Sequence, residues 1–365
     1  MALTIALLPG DGIGPEVTAE AVRLLKRIGD LYGHTFEMST HAIGGEGLER
    51  FNQSLPDETL KACLAADAVL LGAVGHPRYE SRQPSERPEA GLLALRQALG
   101  GFANLRPAIC HAALADRTPF KAERLQGADI LIVRELLGGI YFGEPRGYHS
   151  PDVAFNTLIY SKAEVDRVAR VAFEMARGRR RRVASIDKAN VLETSRLWRT
   201  TVTEVAREYP DIALEHVYID TCAMRLATSP ASFDVILADN LFGDILSDQA
   251  ASISGSLGVL PSATIGGRVD LYEPVHGSAP DIAGKGLANP IGAIASAAML
   301  LRLSARLTHE ADLIDHAIEV ALASGARTRD LAGPGDATLS TREMGDAIEH
   351  ALVELHDHRH TYHAV

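Results

Sequence analysis

Two aspartates four residues apart, Asp244 and Asp248 in "DNLFGDILSD", follow an apolar strand-like run and fall where a loop enters a helix. On a helix that spacing puts both carboxylates on one face, one turn apart, where like charges repel unless a cation lies between them. Oxygen donors of this kind suit Mg²⁺ or Mn²⁺. They equally suit a solvated pair near a helix start, and spacing alone leaves both readings open. Lys188, in "SIDKANVL", follows a strand: it is either a surface charge or, desolvated near a metal, a base. Tyr141, in the glycine-rich "GGIYFG", is a packed aromatic or a phenol held out as an acid. Arg96, Arg106 and Arg134 carry forks that grip carboxylates with two hydrogen bonds. Brought near metal-binding carboxylates they would receive a dicarboxylic acid; scattered, they serve solubility.

Two further stretches concern a nucleotide. "LLPGDGIGPEV" (Leu7–Val17) follows a strand-like run, and Gly10 and Gly12 fit the first two places of a G-x-G-x-x-G turn. The third place holds Pro15, which suits the first turn of a helix instead. Glu16 beside it complements the positive end of that helix but would repel a pyrophosphate there. Glu37 lies near the place of the acidic residue that such a site needs. A plain strand-to-helix turn is the better reading. "LYEPVHGSAPDIAGKGLANPIGAI" (Leu271–Ile294) offers a histidine, small residues and many backbone N–H groups, followed by Asp281. It could wrap an adenosine diphosphate with no Rossmann turn.

The elements that must position these residues read as α/β. The chain has 365 residues, of which 46% are hydrophobic and 23% charged, enough for a large core and two domains. Strands are expected at Ala68–Gly72, Ile130–Arg134, Val183–Ile186 and Phe233–Ala238, and helices at Leu92–Leu99 and Val165–Ala176. Arg78–Pro88 reads as loop. Leu136–Ser161, with three Pro or Gly clusters around aromatic pieces, reads as a protruding arm. Leu257–Asn289 is rich in Gly, Pro and Ser and is expected to be mostly loop, of a length that is usually functional.

Composition excludes several classes. A net charge of −11 argues against a general nucleic-acid binder. The basic run Arg177–Arg182 is expected to be a solvated helix end. No apolar run reaches membrane-spanning length. Cys63, Cys110 and Cys222 have no metal-ligand spacing and read as reduced thiols, and with no export signal visible a cytoplasmic location is expected.

Taken in order, "LLPGDGIGPEV", "LLGAVG", "LLALR", "FANLRP", "VRELLGGIYFG", "DKANVLETSRLWR", "NLFGDILSD", "GSLGVLPSA" and "EPVHGSAPDIAGKGLANP" resemble the metal-dependent β-decarboxylating dehydrogenases, the isocitrate/isopropylmalate dehydrogenase family, along nearly the whole chain. The resemblance implies a two-domain α/β fold on one continuous sheet, not a Rossmann fold. The first domain would be built from residues 1–99 and 256–365, the second from 100–255 with the arm at about 136–161. It also implies a homodimer with shared active sites, taking NAD and Mg²⁺ or Mn²⁺, without nucleic-acid or membrane partners. Asp244 and Asp248 would bind the metal with Asp220 of the partner subunit, and Lys188, also the partner's, would help to remove the hydroxyl proton. Tyr141 would protonate the enol carbon, and Arg96, Arg106 and Arg134 would orient the malate carboxylates. The glycine turn would line a cleft, and NAD would lie mainly on His276–Asn289, using Gly75, Glu273, His276, Gly277, Ser278, Ala279, Asp281, Ile282, Asn289 and Asp330. Asp281 implies NAD rather than NADP.

Substrate choice follows from Leu92 and Leu93, which stand where isocitrate enzymes place hydrogen-bonding residues. Two leucines leave a third carboxylate unsatisfied but cover an isopropyl group, a burial of about 2 kcal/mol. Glu89, one turn before them, matches the family residue near that group and the nicotinamide. Isopropylmalate is therefore expected, with oxidative decarboxylation and leucine biosynthesis as the activity. A tartrate- or malate-type enzyme is the alternative, although Leu105 stands where tartrate enzymes usually carry valine. A non-catalytic regulatory relative is the other alternative, against which the intact set Tyr141, Lys188, Asp220, Asp244 and Asp248 speaks.

Overall fold

A computed structural model describes residues 1–362, with side chains through His358. In chain order the strands and helices are β1 (Ala2–Gly10), α1 (Gly14–Tyr32), β2 (Thr35–Thr40), α2 (Gly44–Phe51), α3 (Asp57–Ala65), β3 (Ala68–Ala73), α4 (Pro88–Leu99), β4 (Ala103–Ile109), α5 (Ala122–Leu125), β5 (Asp129–Glu135), β6 (Gly147–Ser150) and β7 (Val153–Phe155). There follow α6 (Lys162–Arg177), β8 (Arg182–Asp187), α7 (Glu193–Ala206), β9 (Ala213–Tyr218), α8 (Ile219–Thr228), β10 (Val235–Ala238), α9 (Asn240–Ser254), β11 (Pro261–Ile265), β12 (Asp270–Pro274), α10 (Ile291–Leu303), α11 (Thr308–Ala323) and α12 (Thr341–Tyr362). This is the α/β class expected from the alternation of apolar strands and helix-length segments.

The chain packs into two compact units, residues 1–101, 111–117 and 255–365 in one, and 102–110 and 118–254 in the other. Residues 111–117, inside the second span as read from sequence, pack with the first unit. In the first unit the strands run β2-β1-β3-β12-β11, parallel except for the β11–β12 pair. Its core joins Ala6, Leu8, Val69 and Leu71 of the strands to Ile43, Cys63, Leu95 and Leu99. Helix α10 is buried at every position from Ile291 to Leu301, the pattern of a helix enclosed on all sides rather than an amphipathic one.

In the second unit the order is β4-β5-β10-β8-β9, antiparallel at β4–β5 and parallel elsewhere. Ile130, Ile132, Ile186, Ile236, Leu246 and Ile253 form its core. Helix α6 starts in a capping box: the Ser161 side chain accepts from the Glu164 N–H, and the Glu164 carboxylate accepts from the Ser161 N–H. Strands β6 and β7 make a separate two-stranded ribbon within the expected arm, and Tyr148 on it is 80% exposed. Among the described residues no helix is long and apolar enough to cross a membrane, and the three cysteines are free thiols.

One expectation is refined and another corrected. Leu257–Asn289 is mostly loop, as expected, but it also contains two strands, β11 and β12. Gly266-Gly267 turns the chain between them, and β12 is buried by pairing with β3, a tertiary contact that outweighs the local Gly and Pro content. The basic run is not merely solvated. Arg179 bonds the buried Asp234 carboxylate at 2.9 Å and the Asp129 side chain at 2.8 Å, while Arg180 donates to the carbonyls of Ala231, Asp129 and Phe233. These guanidinium groups tie the α6–β8 connection to the starts of β5 and β10.

Candidate active site

In the second unit, α9 starts directly after β10, and Asp239 caps it by accepting the Phe242 N–H at 2.7 Å. Asp244 and Asp248 lie one turn apart on this helix, as their spacing requires. Their repulsion is relieved by arginines rather than by solvent alone. Arg134, at the end of β5, donates to Asp244 Oδ1, and Arg106 Nη1 of β4 stands 3.7 Å from Asp244 and 3.5 Å from Asp248. Arg106 also bonds Ser247 Oγ and Asn104 Oδ1, each at 2.7 Å. Gly243 makes this approach possible, since a Cβ there would meet Arg134 Cγ at 2.7 Å.

Tyr141, in a 3₁₀ turn, donates its hydroxyl to Asp244 Oδ2 at 2.8 Å, and the Arg134 guanidinium sits 5.5 Å from its ring centre. Burial, then the Asp244 hydrogen bond and charge, push the phenol above its ordinary value, so the proton stays on the oxygen. The residue is still 38% exposed.

Lys188 and Asp220 lie elsewhere in this unit, at the end of β8 and the start of α8, and pair with each other at 2.5 Å. That bond holds the Asp220 carboxyl below the usual range. The chain thus brings Tyr141, Arg106, Arg134, Asp244 and Asp248 together, and Lys188 with Asp220 separately. Among the described residues no three His, Cys, Asp or Glu side chains of one chain gather as a metal site. Asp244 and Asp248 offer the hard oxygen donors that Mg²⁺ or Mn²⁺ takes.

In the first unit, Gly75, Glu89 and Ser278 are neighbours: a Cβ on Gly75 would stand 3.2 Å from both Glu89 Oε1 and Ser278 Oγ. Arg96 of α4 pairs with Glu273 of β12 at 2.5 Å. Leu92 packs on the apolar core, while Leu93 is 46% exposed, so the two leucines are not equivalent. The irregular chain after β12 carries His276, whose ring sits at 3.0 Å from the Gly277 carbonyl through Nδ1. Its Nε2 is buried and has no hydrogen-bond partner among the described residues, and burial pushes its pKa down. A neutral imidazole with one unsatisfied nitrogen fits a polar ligand such as a nucleotide. Gly277 and Asp281 are exposed, Ile282 half-buried, and Ala279 has φ +38°. Asn289 and Asp330 bond each other at 3.0 Å; Asn289 also accepts the Ile291 N–H, and Asp330 accepts from Ser256 and Thr328.

Several supporting residues escape sequence reasoning. The Asp11 carboxylate, inside the glycine turn, accepts N–H groups from Gly45, Glu46 and Gly75 at 2.8–3.0 Å, so this turn ties down the first turn of α2 and the loop after β3. Asn240 is another. Its Oδ1 accepts two hydrogen bonds from Arg134, and its Nδ2 donates to the carbonyls of Leu136 and Gly138, each at 3.0 Å. Buried Glu135 accepts from the N–H groups of Leu137 and Gly138 and from the Tyr160 hydroxyl. Together they fix the backbone leading to Tyr141. The polar residues flanking the apolar β5 and β10 runs were their only signal.

Known proteins resemble this chain along nearly its whole length. The chain is 52% identical over 354 residues to a 3-isopropylmalate dehydrogenase of Geobacillus kaustophilus, covering 96% of this chain and 95% of that one. It is 54% identical over 347 residues to a 3-isopropylmalate dehydrogenase of Wolinella succinogenes, covering 94% and 96%. The solved isocitrate dehydrogenase of Methylococcus capsulatus superposes with a TM-score of 0.84 at 35% identity, over 96% of this chain and 99% of that one. The family model described as isocitrate/isopropylmalate dehydrogenase matches residues 4–348, and the chain belongs to that family.

Proposed function

We propose that the protein oxidatively decarboxylates 3-isopropylmalate to 4-methyl-2-oxopentanoate with reduction of NAD, a step of leucine biosynthesis carried out in the cytoplasm. The observation that carries this reading is the Tyr141 hydroxyl bonded to Asp244 beside Arg106 and Arg134: a proton donor, a carboxylate for a metal and two carboxylate receptors in one cluster.

Asp244 and Asp248, with Asp220 of the partner subunit, would hold Mg²⁺ or Mn²⁺, which would acidify the substrate hydroxyl and stabilise negative charge on its oxygen. Arg96, Arg106 and Arg134 would orient the two malate carboxylates. Lys188 of the partner subunit would help to remove the hydroxyl proton as the carbon beneath it gives its hydride to NAD. The resulting β-keto carboxylate would lose CO₂ to leave an enolate, and Tyr141, which retains its proton, would deliver it to the enolate carbon to give the 2-oxo acid. Leu92 and Leu93 cover the isopropyl group, with Glu89 beside it. Gly75, Glu273 and the segment His276, Gly277, Ser278, Ala279, Asp281 and Ile282 line the NAD site, with Asn289 and Asp330 bracing it; Asp281 takes the adenosine ribose hydroxyls and repels a 2′-phosphate.

Two experiments test this. Purified protein assayed with isopropylmalate, malate, tartrate and isocitrate, with NAD and Mg²⁺ or Mn²⁺, is expected to prefer isopropylmalate; a higher kcat/KM for any other sinks the substrate assignment. The shared site is tested by refolding Lys188→Ala and Asp244→Ala chains together. Each homodimer carries its lesion in both sites, whereas a mixed dimer has one intact site, so about a quarter of wild-type activity should return with random pairing. No recovery, while wild type refolds well, rules out sharing.

A further inference from the structure

We infer that Glu16 is a positioning residue for the cofactor, latching the segment that carries Asp281 and Ile282 and so setting the affinity for NAD. The inference rests on the assignment of that segment to NAD. Glu16 lies in the first turn of α1, within the glycine turn that looks at first like a phosphate cradle. Its carboxylate points at the cofactor segment: Oε1 accepts the Gly284 N–H, and Oε2 accepts the Gly286 N–H at 3.0 Å. Both glycines are left-handed, at φ +72° and +64°, with open space where a Cβ would go. Backbone conformation rather than crowding therefore calls for glycine here, and it directs two amides of one short turn to a single acceptor.

The same stretch of chain grips the segment's other end. The Ile13 N–H donates to the Ser278 carbonyl at 2.8 Å, and a Cβ on Gly12 would stand 1.9 Å from that oxygen. Thr341 adds a third hold, donating its N–H to the Gly286 carbonyl and its hydroxyl to the Ala288 carbonyl. Between these clamps Ile282 and Lys285 make only short-range backbone bonds, to the carbonyls of Ala279 and Ile282. A segment of this kind, pinned at both ends, loses less freedom when a ligand orders it, which raises affinity without any new contact to the ligand. Hydrogen bonds to a carboxylate are the stronger sort, so Glu16 is the dominant clamp at the Gly284 end.

The test compares Glu16→Ala and Glu16→Gln with wild type by limited trypsin digestion at the exposed Lys285, and by steady-state kinetics. Glu16→Ala should raise the cleavage rate at Lys285 about tenfold and KM for NAD about tenfold, with kcat and KM for isopropylmalate within twofold. Glu16→Gln, which keeps one carbonyl acceptor, should fall between. Gly284→Ala, strained at φ +72° on a surface turn, should shift both readouts the same way without touching α1. NAD should protect Lys285 in wild type. Unchanged cleavage in Glu16→Ala overturns the latch itself. Faster cleavage with unchanged KM for NAD, and no protection by NAD, overturns the proposal through the cofactor assignment instead.

Discussion

The two chemically equipped regions are built on opposite plans. In the second unit the groups sit on regular elements: Arg106 on β4, Arg134 on β5, Asp244 and Asp248 on α9, with Tyr141 in a turn whose backbone is bonded by Asn240 and Glu135. Each charged group is held by another member of the cluster, so the cluster is its own scaffold. In the first unit, His276 to Asn289 has neither helix nor strand, and its shape is held from outside by Glu16, Ile13 and Thr341. Bond-making needs groups placed to a fraction of an ångström, which rigid elements supply. Irregular chain leaves backbone N–H groups free for a ligand, which suits the segment proposed to hold NAD.

The comparison breaks most easily at Tyr141. Tyr141→Phe keeps the ring but removes the proton, and kcat is expected to fall about 10²–10⁴-fold with KM for NAD nearly unchanged. A kcat within threefold of wild type would show that the cluster does not contain the proton donor. Next is Asn240→Ala, which removes the acceptor of Arg134 and the donor to two backbone carbonyls. Urea unfolding should show a loss of about 1–3 kcal/mol, and kcat/KM should drop by roughly tenfold or more, with KM for NAD again spared. If KM for NAD moved as much as kcat, the two regions would not be independent.

A smaller effect sharpens the picture within α4. Leu93→Ser should cut kcat/KM for isopropylmalate roughly tenfold and barely affect malate, leaving the thermal midpoint in place, because Leu93 is already exposed. Leu92→Ser should lower the midpoint as well, since Leu92 packs on the core. Equal losses on both substrates in Leu93→Ser would remove that residue from the alkyl contact.

The smallest expected effect is a slope. Burial pushes the Asp239 carboxyl from 3.8 up to about 7. Between those values the unfolded chain has released this proton while the folded chain keeps it, so Asp239 makes stability fall as pH rises across that window. Asp239→Asn preserves the helix cap and should flatten that part of the stability–pH curve; an unchanged curve would show that Asp239 ionises normally.

Much of this was legible from residues alone. Strands β5 and β10 carry runs of Val, Ile and Leu of the kind a buried sheet takes. The four-residue spacing of Asp244 and Asp248 commits them to one helix face wherever that helix lies. Pro15 and Glu16 made a plain strand-to-helix turn the better reading through local chemistry. Each of these follows from a period or a single residue's shape, and so needs no knowledge of distant chain. Tertiary structure alone decided the rest. Strands β11 and β12 exist because β12 finds β3, and Leu92 and Leu93 divide between core and surface according to how α4 docks. The guanidinium groups of Arg106 and Arg134 converge on α9 from adjacent strands, and Glu16, repellent to a phosphate by its charge, becomes the acceptor of Gly284 and Gly286 some 268 and 270 residues away. Such partners are set by which segments pack together, and a charge carries no mark in the sequence of the distant group that will answer it.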